Sequence, residues 1–112
     1  MVKPALRPYS RYSRDAVALL GQQIRRARIE KKLTAGDLAT RAGVSRGLIQ
    51  RIEQGDPGCG IGPVFEAAAI VGIRLFDASP AALSQMTEDV KQALTLLPRA
   101  VRPARIETDD DF

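Results

Sequence analysis

The stretch that most constrains this chain is residues 34–53, Thr-Ala-Gly-Asp-Leu-Ala-Thr-Arg-Ala-Gly-Val-Ser-Arg-Gly-Leu-Ile-Gln-Arg-Ile-Glu. Thr34 is an N-cap residue and Asp37 follows three positions on, in the manner of a capping box, so a short helix is expected from there to Ala42. Gly43 ends it, since glycine takes positive φ without strain. Val44 is an apolar turn residue. Ser45 then caps a second helix to about Gln54, whose apolar side is Leu48, Ile49 and Ile52. Two short helices therefore meet across a turn too brief to let them part. The first helix buries Leu38 and Ala39; Val44, Ile49 and Ile52 are placed to fill the core between the two helices, and Ala39 is small enough to let them close.

The flanking sequence supplies what covers that angle. Asp15 is placed to cap a helix running to about Lys32, with Leu19, Leu20, Ile24, Ala27 and Ile29 near a 3.6 period and Arg25, Arg26, Lys31 and Lys32 around the other face. Residues 55–62 hold four glycines and a proline, a loop composition. Pro63 suits the first turn of a fourth helix, and Val64, Phe65, Ala67, Ala68, Ile70 and Val71 make that helix apolar on most sides, hence central. Gly72 ends it. Ile73-Arg74-Leu75-Phe76 alternates and reads as a short strand, which needs a partner because a lone strand is unstable; the same strand of a second subunit is one. Ser79-Pro80 opens a fifth helix to about Leu97, with Leu83, Met86, Val90, Ala93 and Leu97 as one apolar stripe for core or dimer packing, or for docking on another protein. The expected fold class is all-α, a bundle of four to five helices. Residues 1–14 read as a basic arm, 15–76 as the main domain, 77–97 as a C-terminal helix and 98–112 as a tail without fixed structure.

Composition narrows the function. The 112 residues include no His and one Cys. Imidazole general-base chemistry, Ser-His-Asp and Cys-His arrangements and most zinc sites are thereby excluded, and an internal disulfide is impossible. The chain is expected to be no enzyme and to need no cofactor. No apolar run approaches the ~20 residues that span a bilayer, and the five apolar residues between Asp15 and Gly21 are too few for a signal peptide, so a soluble, cytoplasmic protein without membrane contact is expected. The net charge of +4 conceals an asymmetry. Residues 1–51 carry twelve Lys/Arg against three Asp/Glu, a net of +9; residues 52–112 carry five against ten, a net of −5. A basic half favours a polyanion, whose neutralised phosphates release counterions. The acidic half must face solvent or a second, basic partner.

Two short helices at a glycine turn is the geometry that holds a second helix out for the major groove. Leu33-Thr34, Leu38-Ala39, Gly43-Val44-Ser45, Ile49, Ile52-Glu53 and Gly55 resemble the lambda-repressor-like, or XRE, helix-turn-helix family over about residues 20–76. The resemblance implies double-stranded DNA as partner. If Ser45 caps the second helix of the motif, Arg46, Gly47, Gln50 and Arg51 project away from its apolar side. Arg bonds guanine O6 and N7 with two hydrogen bonds and Gln does likewise to adenine. Arg46, Gly47, Gln50 and Arg51 are therefore the expected base-contacting positions, with Arg51 on a base or a phosphate. Thr34, Ser45 and Arg41 are the phosphate candidates, the first two through hydroxyls and helix N-terminal N–H groups. The bland reading of Arg46 and Arg51, as exposed solubility charges, stays open. By similarity to the family, Arg28 and Glu53 form a structural ion pair between the first and third helices. Two departures stand out. Ala35 replaces the Gln common in the family, and Gly47 lies inside the recognition helix, where it either admits DNA closely or leaves a base unread.

Weaker features have plainer alternatives. The glycine-rich loop 55–62 lacks the Lys-Ser/Thr of a phosphate cradle, and Cys59 within it is a small loop residue or a redox-sensitive thiol. Tyr9 and Tyr12 alternate with Arg7, Arg11 and Arg14, as in arms that enter a minor groove or lie loosely on phosphates. The tail ends Asp109-Asp110-Asp111-Phe112, three acids and an aromatic anchor, which suits folding onto a basic, pocketed partner. With Ile73-Arg74-Leu75-Phe76-Asp77 it resembles the antitoxin of a HipB/HipA-type pair. That resemblance implies a homodimer on a palindromic operator, autorepression of its operon, and a HipA-like Ser/Thr kinase toxin as partner. The alternatives are a plain XRE-family phage or host repressor, and a protein-interaction adaptor with a degenerate helix-turn-helix.

Overall fold

The computed structural model describes residues 9–103. Among them are five α-helices and one 3₁₀ turn: α1 Arg11–Glu30, α2 Ala35–Ala42, α3 Arg46–Glu53, α4 Ile61–Ile70, the turn Leu75–Asp77, and α5 Pro80–Leu94. The chain divides into two compact units between Asp77 and Ala78.

The first unit closes around Ile24 of α1, Leu38 and Ala39 of α2, Ile49 and Ile52 of α3, and Ala67 and Ala68 of α4, with Val71 just beyond. Helices α2, α3 and α4, of 8, 8 and 10 residues, are too short to persist alone, so the shared core is what keeps them formed. Leu19 and Ile29, expected on the apolar face of α1, are instead more than half exposed, while Leu20 and Ala27 pack against the core.

The caps of the motif are local and complete. Thr34 Oγ1 accepts the Asp37 N–H at 2.9 Å, and an Asp37 carboxylate oxygen accepts the Thr34 N–H at 2.9 Å. The Thr34 N–H bond to the carboxylate, and after it the Thr34 hydroxyl, hold the Asp37 carboxyl below the usual carboxylate range. Gly43 takes φ +70 at the end of α2, and Ser45 Oγ accepts the Leu48 N–H at 3.0 Å. Between α1 and α3 the decisive residue is Gly21, where an added Cβ would collide with the Ile52 carbonyl. α1 lies backbone-close on α3 because glycine stands there.

Three expectations need correction. Helix α1 begins before Asp15. Ser10 is its N-cap, accepting the Ser13 N–H at 3.1 Å, because serine caps as well as aspartate and nothing in residues 11–14 opposes helix. Residues 73–76 form no strand. Ile73 and Leu75 are half-buried and Arg74 and Phe76 exposed, so the alternation is real. The chain nevertheless turns, with left-handed backbone at Phe76 (φ +55) and Asp77 (φ +54) and an Asp77 N–H bond to the Arg74 carbonyl. The Phe76 ring sits edge-on to Phe65 with centroids 6.2 Å apart, so the packing partner that a strand needed is an aromatic ring of the same unit. Helix α5 stops at Leu94, short of Leu97.

In the second unit α5 is capped by Ser79, whose Oγ accepts the Ala82 N–H, with Pro80 in its first turn. None of its residues is buried. Met86, Val90 and Leu94 of the apolar stripe are 44%, 60% and 60% exposed.

Candidate nucleic-acid interface

Helix α3 buries Ile49, Ile52 and Glu53 and half-buries Leu48. At 100° per residue the opposite face centres on Gly47, flanked by Arg46 and Gln50 on one side and Arg51 on the other. All four are exposed. This face is polar and basic because the other face is consumed by the core.

What orients that face is the pair beneath it. Arg28 Nε donates to Glu53 Oε2 at 2.6 Å and Arg28 Nη2 to Glu53 Oε1 at 2.9 Å, while Arg28 Nη1 donates to the Leu33 carbonyl at 2.8 Å. Both side chains are almost out of solvent. The bidentate bond fixes α3 in rotation as well as distance, and the bond to Leu33 ties the turn before α2 to the same guanidinium. The Glu53 carboxylate raises the Arg28 guanidinium above its ordinary value. Arg25 approaches Glu53 at 4.0 Å from the solvent side. A polar cleft of about 510 Å³ lies there, lined by Arg25, Arg28, Ala35, Gln50, Glu53 and Gln54. Ala35, where the family commonly has Gln, leaves this space beside Gln50 open.

The remaining expected residues divide. The Ser45 and Thr34 hydroxyls both accept first-turn N–H groups of their own helices, so each offers a phosphate its remaining O–H. At Thr34 the capping carboxylate of Asp37 stands against that role by charge. Arg41 is exposed in the last turn of α2, four residues from Asp37. Arg51 is not a free side chain: its Nε donates to Asp56 Oδ2 at 2.8 Å. Sequence reasoning missed that bond; the only signal was an acid five residues on, just past Gly55. Asp109, Asp110, Asp111 and Phe112 lie outside the described residues, as do Arg7 and the start of the arm. Tyr12, Arg11 and Arg14 of the expected arm stand on α1.

Gly47 has no steric reason to be glycine. Its φ is not positive, and an added Cβ would come no closer than 4.0 Å to Ser45 Oγ. Cys59 is half-buried and lines an apolar groove of about 310 Å³ with Leu20, Gly21, Ile52, Ile61 and Phe65.

Comparison with known proteins agrees with this geometry. Residues 19–84 match the family described as the helix-turn-helix domain. The chain belongs to that family. The match takes in α2, α3 and the helices that frame them, and supports the XRE-like character of the motif. No curated protein matches the chain. Its helix-turn-helix is thus that of a DNA-binding regulator. No helix among the described residues is long and apolar enough to cross a membrane.

Proposed function

We propose that this protein is a sequence-specific transcriptional repressor that binds a palindromic operator as a homodimer and performs no catalysis of its own. The observation that carries the reading is the exposed face of α3, with Arg46, Gln50 and Arg51 presented around Gly47 and the helix locked from below by Arg28 and Glu53. A palindrome follows from one recognition helix per chain and the need for two half-sites about 34 Å apart. The apolar stripe of α5 supplies a surface for the second copy. A cytoplasmic location follows from a DNA partner.

Within that reading, the antitoxin of a HipB/HipA-type pair is the specific role we favour, autorepressing its operon and binding a kinase toxin. Its support is sequence alone: the net −5 of residues 52–112 and the Asp109–Asp111 and Phe112 ending. Binding to duplex DNA from upstream of its own gene tests the repressor. It should weaken steeply with salt, and Arg46→Ala with Gln50→Ala should abolish preference for that duplex over a scrambled one. Preference that survives both changes removes α3 as the reader. Deleting residues 107–112 tests the antitoxin: the complex with a kinase encoded beside the gene should weaken while operator binding stays. A gene neighbourhood without such a kinase leaves the plain repressor.

A further inference from the structure

Arg51 is held from one side only. Asp56 accepts its Nε through Oδ2 at 2.8 Å, and Asp56 Oδ1 accepts the Gly58 N–H at 2.8 Å. The Asp56 N–H in turn donates to the Arg51 carbonyl at 3.0 Å. The carboxylate is thus fixed by the loop and by the end of α3, and it fixes the guanidinium. Neither Nη1 nor Nη2 of Arg51 has a protein acceptor among the described residues, and the side chain stays half exposed.

A helical side chain ordinarily leans back over the turn before it, which for Arg51 is the bare surface at Gly47. The bond to Asp56 instead draws the Nε edge toward the C-terminal end of α3. A guanidinium is a rigid planar fork. With Nε occupied, its remaining two-donor edge is the Nη1–Nη2 edge, the one that matches guanine O6 and N7 or two phosphate oxygens end-on. Ordering that fork before DNA arrives removes side-chain freedom that binding would otherwise cost.

Resting on the DNA-reading proposal above, we propose that Asp56 is a positioning residue, which orients Arg51 to present its Nη1–Nη2 edge to the operator. The role carries a distinctive sign. Asp56 is an anion beside a polyanion's site, so removing its charge tightens DNA binding if Coulomb repulsion is all it contributes. If it positions Arg51, removing it weakens binding.

The probe is a duplex enriched by the wild-type chain from a randomised library, with a scrambled duplex as control. Asp56→Asn should weaken binding to the enriched duplex by roughly tenfold, within the range of one bidentate base contact. It should relax the same operator position that Arg51→Ala relaxes, and cause no further loss in the Arg51→Ala background. Arg51→Lys keeps the charge without the fork and should relax that position too. Equal or tighter binding by Asp56→Asn, or full selectivity in Arg51→Lys, overturns the positioning role and leaves the DNA-reading proposal intact. Wild-type protein that enriches no duplex over the scrambled control overturns the DNA-reading proposal and this one with it.

Discussion

At the scale of single residues, Gly47 sets stability against function. A glycine in a helix interior costs about 0.5–1 kcal/mol relative to alanine, and no neighbour within the fold requires it. Gly47→Ala should therefore raise stability in urea by about that amount and weaken operator binding, if DNA is what approaches this face. A stabilised variant with unchanged DNA affinity would show that nothing comes close there. Glu53 is the opposite case. Its carboxylate takes both bonds of the Arg28 fork in a nearly water-free site. Glu53→Ala leaves a buried guanidinium unpaired and should cost about 3–5 kcal/mol, read by the urea midpoint. Both residues could be singled out in the sequence, Gly47 as an oddity within a helix and Glu53 through the family resemblance. Arg51 was only half legible. Its place on the exposed face follows from helical spacing, but its tether is Asp56, in a loop whose path spacing does not define.

At the scale of elements, the caps and one close approach decide the geometry. The Asp37 carboxyl is lowered by the bonds it shares with Thr34. A lowered folded pKa means that its contribution is fully present above the ordinary carboxylate value and drains away as pH falls through the folded one. Asp37→Asn should accordingly flatten the acid side of the stability–pH curve by lowering stability at neutral pH, with the difference from wild type shrinking toward pH 3, as thermal melts at pH 3 to 7 can check. The contact of α1 with α3 depends on Gly21. Gly21→Ala forces the backbones apart and should cost about 1–3 kcal/mol, the usual range for overpacking, against near-neutral effects of alanine at exposed helical positions. A melting temperature unchanged by Gly21→Ala would place the two backbones further apart than described. The capped starts of α2, α3 and α5 could be read from sequence because a cap is satisfied three residues away. The start of α1 was read five residues late because Ser10 and Asp15 carry equivalent cap chemistry and nothing between them breaks a helix. The strand at residues 73–76 failed differently: alternating burial marks a turn that packs against a helix as readily as it marks a strand.

At the scale of the whole molecule, charge and apolar surface are divided along the chain. The basic half holds most of α3, and the acidic half holds α5 with its exposed Met86, Val90 and Leu94. If a second copy covers that stripe, Val90→Lys with Leu94→Lys should turn a dimer into a folded monomer by sedimentation, and operator binding should lose its dependence on paired half-sites. A sedimentation mass unchanged by the two lysines would move the interface elsewhere. Local sequence was enough to dictate the five helices, the turn at Gly43, the exposed face of α3 and the absence of histidine chemistry. Each rests on the residue itself or on neighbours three to five positions away, where the backbone's own geometry sets the distances. Tertiary packing alone decided that Gly21 is the pivot of α1 on α3, that Phe76 folds back onto Phe65, and that Arg51 is tethered while Arg46 and Gln50 have no such tether. Those depend on atoms brought together across more than thirty positions or on the path of a glycine-rich loop, and neither is specified by the spacing of residues along a helix.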